Sequence, residues 1–156
     1  MLKLIGGILL LVACFGVSHY FSGLGQKRMS YVRELISLIK YIRDNIDCYS
    51  MPIDKILESC RGDILYNLGI EKKISDLSEL YDELKKSFDG ECIKILYTLA
   101  RDFGKGYREH QMKICDTAVL ALERHLETLE IAYPAHKRRI ATLCFSIGGM
   151  LLIALL

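Results

Sequence analysis

At 156 residues, 51% hydrophobic and 26% charged, the chain has room for one domain of ordinary size. Its 21 Lys and Arg against 19 Asp and Glu leave a formal net charge of +2, without the dense basic surface that phosphate neutralisation requires, which argues against nucleic acid as a partner. The six cysteines, at 14, 48, 60, 92, 115 and 144, form no CxxC and no pair at zinc-finger spacing, which argues against a bound metal. Those at 48, 60, 92 and 115 fall within or beside apolar stretches of predicted helices. There a reduced thiol acts as a small hydrophobe, and this favours a reducing compartment for the middle of the chain.

The first element is apolar. The 22 residues from Leu4 to Gly25 carry no charge, and Lys3 is the one charge that precedes them. At about 1.5 Å per residue such a helix can cross a hydrocarbon core about 30 Å thick. A competing reading takes the first 13 residues as a secretory leader, with "LVAC" at Leu11 to Cys14 matching the pattern before a lipid-modified cysteine. The uncharged stretch runs on past Cys14 into the basic pair Lys27 and Arg28, which suits a retained anchor better.

A run of amphipathic helices follows. From Met29 the positions Met29, Val32, Leu35, Ile36, Ile39, Ile42 and Ile46 recur every three or four residues, the period of one helix face. "SMPIDKILESC" offers Ser50 as an N-cap and Pro52 in the first turn, and Gly62 is expected to close the segment after Ile53, Ile56, Leu57 and Cys60. "SDLSELYDELKKSFDG" has Ser75 as cap, Leu77, Leu80, Tyr81, Leu84 and Phe88 on one side, and Gly90 as the stop. "ECIKILYTLARDFGKG" places Ile93, Leu96, Leu99, Ala100 and Phe103 before a turn at Gly104 and Gly106. A long helix is expected from about Tyr107, with Ile114, Ala118, Leu122, Leu126 and Leu129 along one line and Pro134 kinking or breaking it. No segment alternates as a strand should. The expected fold class is all-α, an antiparallel bundle of about five or six helices.

The last element is apolar again: Ile140 to Leu156 is 17 residues without a charge, preceded by Lys137, Arg138 and Arg139. It would reach about 26 Å, enough to span if those basic side chains snorkel. The basic clusters Lys27, Arg28 and Lys137, Arg138, Arg139 both border the middle, so the positive-inside rule puts residues 26–139 in the cytoplasm and both ends across the membrane. The organisation expected is an N-terminal span at 1–25, a cytoplasmic bundle at 26–139 and a C-terminal span at 140–156. Gly6, Gly7 and Gly16 in the first span, with Gly148 and Gly149 in the second, offer small-residue surfaces for close helix packing or self-association.

Catalytic chemistry finds no support. The histidines at 19, 110, 125 and 136 lack an HExxH or a His-Cys partner, "FGKGYRE" has neither P-loop spacing nor a strand, and the carboxylates interleave with Lys and Arg as helix-surface pairs. The expectation is a non-enzymatic scaffold without cofactor or metal. The alternative from another class is a small transporter or ion-conducting subunit built on His19 in the first span.

Four stretches carry a resemblance: "MLKLIGG", "SLIKYIRDNI...MPIDKIL", "LARDFGKGYREHQMKICDTAVLALERHLETLE" and "GGMLLIALL". In order and spacing the chain resembles the stage III sporulation protein AB family over nearly its whole length. The resemblance implies a bundle similar to the cytoplasmic domain of type II secretion F proteins, set in the mother-cell membrane as a platform for the channel between mother cell and forespore. It implies as partners the stage III sporulation protein AA ATPase and other products of the same operon. Gly104, Arg108 and Gln111 match the family's turn pattern and are the candidate partner-docking turn. Gly106 and Tyr107 stand where that family usually has Ser-Asp, so the helix that follows lacks its usual acidic capping side chain. Read from the residues alone, the same stretch is a turn joining two helices.

Overall fold

In the computed structural model the backbone is described for residues 2–49, 51–60, 62–70, 72–88 and 90–155. The side chains among these are described except at 2–11, 14, 15, 17–19, 21, 22, 63, 136, 148 and 151–155. Six helices and no strand occur among the described residues: α1 Leu2–Tyr49, α2 Ile53–Ser59, α3 Gly62–Asn67, α4 Leu77–Leu84, α5 Gly90–Asp102 and α6 Arg108–Leu155. The all-α expectation holds. The apolar flanks, however, are not separate elements: the first lies within the 48 residues of α1 and the last within the 48 residues of α6.

The chain divides into two compact units, one of residues 30–127 and one of residues 1–29 with 128–156. The first holds the core. Leu35, Leu38, Ile39 and Ile42 of α1 are fully buried, as are Ile56 and Leu57 of α2, Leu80 and Leu84 of α4, Leu96 of α5 and Leu122 of α6. Each such side chain contributes roughly 1.5–3 kcal/mol by leaving water. No polar or charged residue is buried with them among the described residues.

Several helix ends differ from the sequence reading. Ser50 lies outside the described residues, and Pro52 stands at the N-cap of α2 rather than inside its first turn. Gly62 opens α3 instead of closing the segment before it. The end of α3 is set by Gly69, whose φ of +78° allows the amides of Gly69 and Ile70 to turn back on the carbonyls of Tyr66 and Leu65, both at 2.9 Å. The cap of α4 is Asp76, not Ser75: its Oδ1 accepts from the Leu77 amide at 2.7 Å, while the Ser75 amide donates to Glu79 Oε2 at 3.1 Å. Gly90 does not stop that helix, which ends at Leu84; Gly90 begins α5.

In α6 the buried positions are Cys115, Ala118, Val119 and Leu122, whereas Ile114, Leu126 and Leu129 are half-buried, so the inward face is turned from the expected line. Pro134 does not break the helix. It lies inside α6, where the lost amide bond to the carbonyl four residues back is tolerated.

Candidate functional site

The turn between α5 and α6 gathers the three residues singled out from the sequence. Gly104 has a φ of +81°, a left-handed conformation that only glycine adopts without strain, and it ends α5. Gln111, one turn into α6, folds its side chain back so that Nε2 donates to the Gly106 carbonyl at 3.2 Å. The His110 and Gln111 amides donate to the Tyr107 carbonyl at 2.9 and 3.2 Å. A Cβ at Gly106 would lie 2.7 Å from the His110 ring, so the missing side chain there lets the imidazole rest over the turn.

Arg108 reaches across to α1. Its Nη2 donates to Asp47 Oδ1 at 2.6 Å and also to the Asp47 backbone carbonyl. Asp47 sits in the last turn of α1, where carbonyls have no partner within the helix, so one guanidinium satisfies an orphan carbonyl and a carboxylate together. Two further pairs tie the same helices, Arg43 Nε to Asp116 Oδ1 at 2.9 Å and Lys40 Nζ to Glu123 Oε1 at 2.8 Å. Rising numbers on α1 meet falling numbers on α6, so the helices run antiparallel here. The neighbouring Asp44 carboxylate, then Asp116, hold the Arg43 guanidinium still more firmly protonated. The turn is thus engaged internally, and Tyr107, 92% exposed, is the side chain it leaves outermost.

Beside the turn, α5 and α6 leave a groove of about 450 Å³. Its floor is apolar and its edges carry Lys94, Asp102, His110 and Lys113. Asp102 is paired with Arg101 at 2.8 Å and Lys105 at 3.9 Å, and the hydrogen bond from Arg101 holds its carboxyl below the usual range. Of the histidines without a catalytic motif, His110 is exposed at this groove and His125 is half-buried. The groove itself escaped notice, because it exists only once two helices are set in register.

On the thiols, Cys60, Cys92 and Cys115 are buried, in keeping with their reading as small hydrophobes, whereas Cys48 is exposed. Burial pushes the Cys115 thiol up to about 11 and raises that of Cys60. No group of three or more His, Cys, Asp or Glu placed to hold a metal ion occurs among the described residues.

In the unit of residues 1–29 and 128–156, the basic residues Lys27, Arg28, Lys137, Arg138 and Arg139 are all exposed. A Cβ at Gly25 would lie 2.7 Å from the Tyr133 ring, so α1 and α6 approach closely there through a glycine the sequence reading had not chosen. A Cβ at Gly16 or Gly149 would meet nothing within 4 Å. Gly6, Gly7 and Gly148, like Cys14 and His19, lie outside the residues whose surroundings are described. No helix among the described residues is long and apolar enough to cross a membrane; 15 of the 22 residues of the first expected span and seven of the 17 of the second have side chains outside that set.

The model of the family described as stage III sporulation protein AB matches residues 3–156. The chain belongs to that family. Its role is therefore in sporulation. No curated protein and no solved structure matches the chain.

Proposed function

We propose that this member of the family is a non-enzymatic platform of the complex between mother cell and forespore, anchored in the mother-cell membrane at both flanks and docking a cytoplasmic ATPase. One observation carries the anchoring. In α6 beyond Arg139, Leu143, Phe145, Ile147 and Met150 are all exposed, at 57–77%, in a stretch without a charge. At about 100° per residue Leu143, Ile147 and Met150 share one side of the helix and Phe145 points to the other, so no single packed face can cover all four. A hydrocarbon surround covers every side.

The platform reading rests further on the helical unit of residues 30–127, which buries a core of its own drawn from α1, α2, α4, α5 and α6 and carries charged side chains on its surface. Topology is tested by introducing single cysteines at Glu83 and Glu109 and labelling intact cells with an impermeant reagent. Protection is expected, and labelling overturns the orientation. Docking is tested by cross-linking in sporulating cells: recovery of the stage III sporulation protein AA ATPase with the full chain is expected, and its absence overturns that partner. Deletion of residues 140–156 should leave the protein membrane-bound through Leu4 to Gly25 but defective in assembly; a truncated chain with full sporulation would overturn two-point anchoring.

A further inference from the structure

We propose that the groove between α5 and α6 is a docking site for an amphipathic helix of a partner protein that flanks its apolar stripe with carboxylates. This deepens the platform reading and rests on it for the class of partner. The floor is made by Ile95 and Leu99, four residues apart on α5, and by Ile114, Ala118 and Ala121, at i, i+4 and i+7 on α6. Two rows at helical spacing leave between them a furrow into which the side-chain ridge of a third helix fits. Leu99 and Ala118 are buried at its base, while Ile95, Ile114 and Ala121 remain half-exposed, so apolar surface is left for an occupant to cover.

The polar residues along the furrow do not oppose an apolar stripe. Thr98 Oγ1 donates to the Lys94 carbonyl at 3.0 Å and Thr117 Oγ1 to the Lys113 carbonyl at 2.8 Å. Both hydroxyl protons are therefore committed to their own helices, and an occupant need not supply acceptors for them.

The rim supplies the sign of charge. Lys94 stands on one side and Lys113 on the other, and neither ammonium has an ion-pair partner among the described residues, whereas the one rim carboxylate, Asp102, is already matched by Arg101 and Lys105. The open cations thus border the apolar floor from both helices, Lys94 from α5 and Lys113 from α6. Carboxylates on either side of a hydrophobic stripe complement that layout, and ammonium groups there would be repelled. Lys94 and Asp102 are eight residues apart, so the furrow runs about 12 Å, or a little over two helical turns of an occupant.

The test uses the full chain in lipid nanodiscs and two fluorescent designed helices that share one leucine stripe, flanked by Glu in one and by Lys in the other. The Glu helix should bind, with the Lys helix weaker on the order of ten-fold. Lys94→Glu with Lys113→Glu should invert that order, and Ala121→Leu should weaken the Glu helix by filling the floor. Lys72→Glu with Lys73→Glu, exposed and outside the groove, should change nothing. Unchanged helical circular dichroism shows that each variant folds. Equal binding of the two helices, binding of neither, or a preference that survives the Lys94 and Lys113 reversal overturns the proposal. So does binding of laurate without either helix, which would assign the groove to a lipid acid. None of these readouts depends on sporulation, so the groove and the platform reading can fail separately.

Discussion

The two halves of α6 use apolar residues in opposite ways. Between Arg108 and Glu127 its inward positions Cys115, Ala118, Val119 and Leu122 are buried against a core, and the exposed positions are charged or polar apart from Leu120; beyond Arg139 large apolar residues are exposed on more than one side. The covalent helix is one, but the solvent each half suits is different. Amphipathic periodicity suits an element that meets water on one face, and uniform apolarity suits one that meets none. Lys137, Arg138 and Arg139 mark the border between the two regimes.

Substitution of one leucine in each regime should show this contrast most strongly. Leu38→Ala, at a fully buried position of α1, should cost about 2–5 kcal/mol in urea unfolding of the full chain in detergent. Leu143→Ala, 62% exposed, should leave that midpoint within about 0.5 kcal/mol. Equal effects would erase the distinction. The next effect comes from alkali. The folded Cys115 thiol keeps its proton up to about 11 against an ordinary value of 9.0. Stability is therefore full below pH 9 and falls as pH rises to 11, by about 2–3 kcal/mol, relative to a Cys115→Ala chain followed through the same range.

Two smaller effects sharpen the picture. Arg108→Ala should cost about 1 kcal/mol, since its partners at Asp47 are partly exposed and water replaces some of what is lost. Gly104→Ala should cost a similar amount through its positive φ, about 1 kcal/mol by the same unfolding measurement. The last prediction leaves the bundle untouched. Gly25→Leu forces the Tyr133 ring aside and should speed tryptic cleavage at Lys137 to Arg139 with no shift of the urea midpoint. A shifted midpoint would mean the two regimes are coupled.

The core of α1 was legible because Val32, Leu35, Ile39, Ile42 and Ile46 repeat at helical spacing, and all are buried. The face of α6 was less so, since Ile114 is the more apolar residue yet the smaller Cys115 takes the interior place beside it. Gly62 and Gly90 misled because glycine is permitted at either end of a helix, and sequence alone does not say which. The candidate turn was found by its glycines and its family pattern, but its principal contact joins Arg108 to a residue 61 positions away. No local pattern encodes that distance, nor the register that opens the groove beside it.

The pairing of the first helix with the last also sets an order of events during synthesis. Arg43 meets Asp116, 73 residues later in the chain, so the apolar face of α1 has no α6 to meet until most of the protein has been made. At roughly 5–20 residues per second this leaves Leu35, Leu38 and Ile42 waiting for about 4–15 s. If the chain is anchored as proposed, that interval is spent with one end tethered at the bilayer. Tethering narrows the space that the growing chain explores before α6 arrives to close the bundle.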